Sequence, residues 1–71
     1  MKVDIYGRFQ LDVIQENGTW VAYRQEPGKK VKLGELVFPE DLKPDEVPVY
    51  LDDIYHELAR PGQTVRIISV D

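Results

Sequence analysis

Apolar and polar residues alternate along residues 3–13. One side of an extended chain would carry Val3, Ile5, Phe9, Leu11 and Val13, and the other side is mostly polar. This period of two is typical of a β-strand with one buried face. Gly7 stands where an apolar residue is expected, and a glycine inside a strand pattern often marks a bulge. The pattern therefore predicts one long strand, kinked at Gly7.

A β-hairpin is predicted at Asn17-Gly18, because both residues tolerate the positive φ angles that tight hairpin turns require. The second strand then covers residues 19–25.

The register of this hairpin has two alternatives. A two-residue turn pairs Val13 with Ala22 and directs Trp20 inward, whereas a three-residue turn with a glycine bulge pairs Val13 with Val21. We favour the three-residue turn, since it brings the larger apolar pair together. It would leave Trp20 on the other face of the sheet, near Ile14.

Two further strands are predicted. The third covers residues 31–38, with an irregularity at Gly34, and a polar connection follows it. If this strand lies at an edge, Lys29, Lys30 and Lys32 are expected to protect that edge against pairing with other strands. The same lysines could equally recruit an acidic strand. The last strand covers residues 63–70, and its nearly continuous apolar run favours an interior position beside the first strand.

An amphipathic helix is predicted for residues 45–60. At 100° per residue, one stripe is formed by Val47, Leu51, Ile54 and Leu58, with Tyr50 and Tyr55 at its flanks. Asp45 is a suitable N-cap, and Pro61-Gly62 ends the helix. Together these elements predict a single α+β domain over residues 1–71. Its three- to four-stranded antiparallel sheet, in the chain order β-β-β-α-β, would carry one helix packed on one face.

Charge narrows the classes of partner. The chain has 9 Lys and Arg against 13 Asp and Glu, a net charge of −4. Nucleic-acid binding depends on clustered basic residues, which this chain lacks, so we expect no nucleic-acid partner. No apolar run is long enough to span a membrane, and the N-terminus has no signal-peptide pattern. The absence of cysteine agrees with this in predicting a cytoplasmic protein without a membrane partner.

One polar cluster lies opposite the apolar stripe of the helix, formed by Asp52, Asp53, His56 and Glu57. Carboxylate and imidazole groups four residues apart on a helix could bind a divalent metal. A solvated polar face is the more economical interpretation, since the chain has no second histidine and no cysteine. No nucleophile stands in a catalytic motif and no glycine-rich phosphate loop is present. We therefore expect no enzyme activity, no cofactor, no metal and no small-molecule substrate.

Aromatic residues supply a candidate contact surface. Tyr6 and Trp20 are expected on the sheet face away from the helix, where Arg8 and Ile14 would extend them into an exposed patch. Such a composition is typical of protein interfaces. The alternative is that these large side chains merely cover the second face of a small sheet.

Three segments carry a resemblance to known proteins: MKVDIYGRFQLDVI, NGTWVAYR and YLDDIYHELARPGQTVRI. Together they resemble a family of small bacterial proteins of about this length with no assigned function. More distantly, the NGTWVAYR hairpin and the strand order resemble the HicB-type antitoxin domain, which implies a domain that masks a small toxin and often oligomerises. The chain departs from that domain in having Pro27-Gly28-Lys29 where a Pro-Gly-Cys turn is usual, and in lacking an appended DNA-binding segment.

These observations favour a non-enzymatic cytoplasmic protein-interaction module that binds a protein partner or associates with itself, with a homodimer as one form. The alternative is an antitoxin-like protein that masks a small basic toxin.

Overall fold

The computed structural model describes residues 1–70 and shows an α+β fold with one helix on one face of an antiparallel sheet. The elements are β1 (Lys2–Ile5), β2 (Phe9–Glu16), β3 (Thr19–Glu26), β4 (Lys29–Lys32), α1 (Val47–Tyr55) and β5 (Val65–Ser69). The sheet has five strands in the order β4-β3-β2-β1-β5. The predicted fold class is confirmed. The predicted count of three to four strands and the chain order β-β-β-α-β are wrong, because the chain runs β-β-β-β-α-β.

The extra strand arises at Gly7, where the chain reverses direction instead of bulging. Tyr6 and Gly7 have positive φ angles of 56° and 72°, and Ile5 pairs directly with Phe9 across a three-residue loop. Residues four apart in sequence thus lie side by side on the same face. The alternation of apolar and polar residues passes through the turn without a break, which explains why it resembles one long strand.

The hairpin between β2 and β3 has the two-residue turn. Asn17 and Gly18 both have positive φ, at 55° and 79°, and Val13 pairs with Ala22. The favoured three-residue turn is therefore wrong. The two-residue turn directs Trp20 inward, where its side chain is only 8% exposed.

The third predicted strand is shorter than expected. The β4 strand covers Lys29–Lys32, and a turn follows in which the Leu36 amide donates to the Leu33 carbonyl oxygen at 3.1 Å. The segment 33–43 still completes the core as a loop, since Leu36 and Phe38 are buried. The charged residues of this loop, Glu35, Glu40, Asp41 and Lys43, are exposed.

The helix is shorter than the predicted 45–60. Its α-helical part is Val47–Tyr55, with a single 3-10 turn on each side, Pro44–Glu46 and His56–Leu58. The Lys43 amide, rather than the predicted cap Asp45, organises the start by donating to Glu46 Oε1 at 2.8 Å.

The core lies between the helix and one face of the sheet. Its buried apolar residues are Val3, Ile5, Tyr6, Leu11, Val13, Trp20, Ala22, Leu36, Phe38, Val47 and Leu51. The helix packs over β1 and β5, while the 33–43 loop covers the other half of the sheet. As predicted, β5 lies beside β1, but it is an edge strand and the predicted interior position is wrong.

Candidate interaction surface

The four residues of the predicted contact surface do not form one patch. Tyr6 and Trp20 are buried, at 3% and 8% exposure, so their predicted position on the outer face is wrong. Arg8 is exposed in the β1–β2 turn, and Ile14 is 41% exposed on the outer face of β2. Trp20 moves inward because of the two-residue turn, and Tyr6 because the chain reverses at that residue.

Trp20 has a structural partner in the core. Its Nε1–H donates to the Leu42 carbonyl oxygen at 2.8 Å, which joins β3 to the loop that precedes the helix. A buried indole nitrogen usually finds such an acceptor. Trp20 is therefore part of the scaffold rather than of an exposed surface.

Tyr6 links the β1–β2 turn to the helix. Its hydroxyl donates to Asp52 Oδ1 and lies 3.2 Å from the Asp52 backbone oxygen. Burial of the ring, together with the hydrogen bond to the Asp52 carboxylate and its negative charge, raises the pKa of Tyr6 from 10.0 to about 12. The turn itself is held by Asp4, whose Oδ2 accepts the Gly7 amide at 2.8 Å.

The polar cluster of the helix does not converge on one point. Asp52 is engaged by Tyr6, whereas His56 Nδ1 lies 2.9 Å from the Asp53 backbone oxygen. Glu57 is exposed in the 3-10 turn that follows the helix. Within residues 1–70, no group of three or more His, Cys, Asp or Glu side chains is arranged to hold a metal ion.

The outer face of the sheet carries its own ion pairs. Lys30 Nζ lies 2.7 Å from Asp12 Oδ2, and Lys32 Nζ lies 3.1 Å from Glu16 Oε1. The Tyr23 hydroxyl also donates to Glu16 at 2.7 Å, and this hydrogen bond, followed by the one from Lys32, lowers the pKa of Glu16. These cross-strand pairs give the outer face near β4 a polar character.

The two edges of the sheet differ in chemistry. At one edge, β4 has the sequence KKVK, and all four of its residues are exposed. At the other edge, β5 has the sequence VRIIS, with Ile67 36% and Ile68 50% exposed. Val70, directly after the strand, is 78% exposed. Natural sheets protect an edge with lysine or with other charged side chains. The β4 edge carries three lysines, whereas the β5 edge carries a single charged residue, Arg66.

The edge position of β5 could not be predicted from its sequence, because an apolar run usually marks an interior strand. The opposite edge could be predicted, because the lysines of β4, Lys29, Lys30 and Lys32, are typical of an edge strand. The sequence of β5 has no comparable cluster of charge.

A groove of about 530 Å³ runs along the solvent side of the helix. Its lining consists of Leu42, Glu46, Val49, Tyr50, Asp52, Asp53 and His56. Val49, a residue of the helix that lines this groove, is 69% exposed. The groove combines apolar side chains with carboxylates, and no lysine or arginine of the described part of the chain lines it.

Among the described residues, no helix has both the length and the apolar character required to cross a lipid bilayer.

Comparison with known proteins gives a family but no function. No curated protein and no solved structure matches the chain. The distant HicB-type resemblance therefore gains no support. A family model matches residues 1–69, nearly the entire chain. The chain belongs to the family described as "Domain of unknown function (DUF7661)".

Proposed function

We propose that this chain is a non-enzymatic protein-interaction module that associates with a second copy of itself through the edge strand β5. The observation that carries the proposal is the contrast between the two sheet edges. One edge is covered with lysines, while the other exposes Ile67 and Ile68 on a strand whose outer side faces no further strand within residues 1–70. An extended apolar edge is a template for the addition of another strand.

A second copy suits this edge because antiparallel pairing of β5 with itself generates a two-fold dimer, the commonest symmetry of protein oligomers. Arg66 is the one charged residue of β5. The two-fold axis of such a pair is perpendicular to the sheet and passes between a residue and its own copy. An axis at Ile67 would place Arg66 opposite Ile68, and an axis at Ile68 would place it opposite Val70. Either register keeps the two Arg66 side chains apart and places an isoleucine opposite its own copy.

The helix adds apolar surface to the proposal. Ile54 lies on the same helical stripe as the buried residues Val47 and Leu51, yet it is 40% exposed. The helix packs over β1 and β5, so we infer that this part of its inner stripe extends past the edge of the sheet. Strands of a second copy placed beside β5 would cover it, whereas a single added peptide strand would cover less.

Sedimentation velocity over a concentration series from micromolar to millimolar tests the proposal. Wild-type protein is expected to shift from monomer towards dimer as concentration rises. Ile68→Lys should stay monomeric, because a lysine at the edge opposes strand addition.

Ile14→Lys is the matched control. Ile14 is exposed to a similar degree, 41% against 50% for Ile68, but it lies on the interior strand β2. It receives the same charge and should dimerise as wild type does, with far-ultraviolet circular dichroism to verify that both variants fold. A wild-type chain that remains monomeric over the whole series would overturn the proposal. So would an equal loss of association in both variants.

A further inference from the structure

The groove on the solvent side of α1 suggests a second interaction surface, separate from β5. We infer that it binds a segment of a partner protein that carries both basic and apolar side chains. The inference goes beyond self-association and does not depend on it, because the groove residues lie in the helix, in the 3-10 turns at its two ends and in the loop before it, and none lies in β5.

The apolar part of the groove is a preformed feature. Leu42 is fixed by the hydrogen bond from Trp20 Nε1 to its carbonyl oxygen. Tyr50 is fixed by its hydroxyl, which donates to the Val37 carbonyl oxygen, and by ring contact with Phe38 at 5.1 Å between centroids. Val49 lines the same groove and is 69% exposed. The contacts of Leu42 and Tyr50 restrict the apolar lining before a partner binds, and preorganised sites favour binding by reducing its entropic cost.

The charge of the groove defines the partner. The segment 39–58 has one lysine against seven carboxylates, namely Glu40, Asp41, Asp45, Glu46, Asp52, Asp53 and Glu57. The rest of the sequence has six acidic and eight basic residues, so the helix side is strongly negative and the remainder slightly positive. Complementary charge speeds association and selects partners.

Within residues 1–70, no ion pair neutralises the groove carboxylates. The ion pairs described above, Lys30–Asp12 and Lys32–Glu16, involve no groove carboxylate. Glu46 accepts the Lys43 amide, and Asp52 accepts the Tyr6 hydroxyl. Neither of these donors carries a positive charge. A lysine or arginine of a partner could therefore pair with Glu46 or Asp53 while an apolar neighbour covers Val49.

Amide-resolved NMR titration with three synthetic peptides tests the inference. The first is an amphipathic peptide of leucine and lysine, the second has glutamate in place of every lysine, and the third has serine in place of every leucine. Only the first meets both requirements, so it should give the tightest binding. Its shift changes should centre on Leu42, Val49, Tyr50 and Asp53.

Substitutions distinguish binding in the groove from general attraction between the acidic chain and a basic peptide. Val49→Ser should weaken binding of the leucine-lysine peptide about tenfold, because most of a buried valine contact is lost. Asp53→Asn should weaken it roughly two- to fivefold. Glu26→Gln makes the same change in net charge on the sheet, at the end of β3, and should leave the affinity unchanged.

Several outcomes would overturn the inference. Equal weakening by Asp53→Asn and Glu26→Gln would show that only net charge attracts the peptide. Binding of the serine-lysine peptide as tight as that of the leucine-lysine peptide would remove the role of Val49. Shift changes confined to β5 would assign the peptide to the sheet edge, and no shift change at all would exclude the groove for this class of partner.

Discussion

Trp20 and Val21 are neighbours in sequence that the two possible hairpin registers place on opposite faces of the sheet. In the structure, Trp20 is 8% exposed and packs in the core, whereas Val21 is half-buried on the outer face, paired with Ile14. Under the alternative three-residue turn, the two residues would exchange roles. The substitutions Trp20→Phe and Val21→Ala therefore test the register directly.

The structure sets the size of each effect. Trp20→Phe removes the hydrogen bond from Nε1 to the Leu42 carbonyl oxygen, which costs about 1 kcal/mol. The smaller ring also loses packing contacts and leaves space in the core, which costs roughly another 1 kcal/mol. We expect a loss of about 2 kcal/mol in the free energy of unfolding. Val21→Ala should cost about 0.5 kcal/mol, since its side chain faces away from the helix.

Urea denaturation followed by far-ultraviolet circular dichroism measures both values without relying on tryptophan fluorescence. In thermal unfolding followed by the same signal, Trp20→Phe should lower the Tm of a domain of this size by roughly 8–16 °C. The reverse order, with Val21→Ala costing about 2 kcal/mol or more and Trp20→Phe close to neutral, would show that the register is wrong.

Two further predictions concern the turns. Gly18→Ala should destabilise the fold by about 1–2 kcal/mol because Gly18 has a φ of 79°, whereas Gly34→Ala, at a glycine without positive φ, should be neutral or stabilising. An added Cβ meets no atom within 4 Å at either site, so equal unfolding free energies for the two variants would contradict the assigned turn. The pKa of Tyr6 is raised from 10.0 to about 12, so the folded state holds the hydroxyl proton more tightly than the unfolded state does. The contribution of this group to the free energy of unfolding is therefore fully present below pH 10.0 and is lost as the pH rises to about 12. Tyr6→Phe should reduce the fall of Tm at alkaline pH, and it should remove the tyrosine ionisation that occurs at the highest pH in an absorbance titration. A dependence of Tm on pH identical to that of wild type would count against the Tyr6–Asp52 hydrogen bond.

The elements whose signals were local could be predicted from the sequence. Asn17-Gly18 indicated the hairpin correctly, and the spacing of Val47 and Leu51 indicated the buried side of the helix. Trp20 was misplaced because both turn lengths are compatible with Asn-Gly, and the choice between them depends on packing across the core. The loop 33–43 offers an acceptor for the indole nitrogen, which the pattern of β3 alone does not reveal.

The division of the first predicted strand into β1 and β2 is not visible in the alternation of apolar and polar residues. A three-residue loop between Ile5 and Phe9 leaves the apolar alternation in phase, so only the glycine and the positive φ of Tyr6 distinguish a turn from a bulge. The edge position of β5 was hidden for a different reason. An isoleucine-rich strand is expected inside a sheet, and its position at an edge is the basis of the proposed self-association.

Cross-linking through single cysteines tests the pairing of β5 with itself most directly, because the natural chain contains no cysteine. One cysteine is introduced at a time at positions 65–70, and at positions 29–32 of β4 as the control, followed by mild oxidation. In a two-fold antiparallel pair, only residues at or next to the axis approach their own copies closely enough for a disulfide, with Cβ atoms about 4 Å apart. We predict disulfide dimers at one or two adjacent positions within 66–69 and none along β4. Uniform cross-linking at all positions, or none on β5, would contradict self-association through this edge.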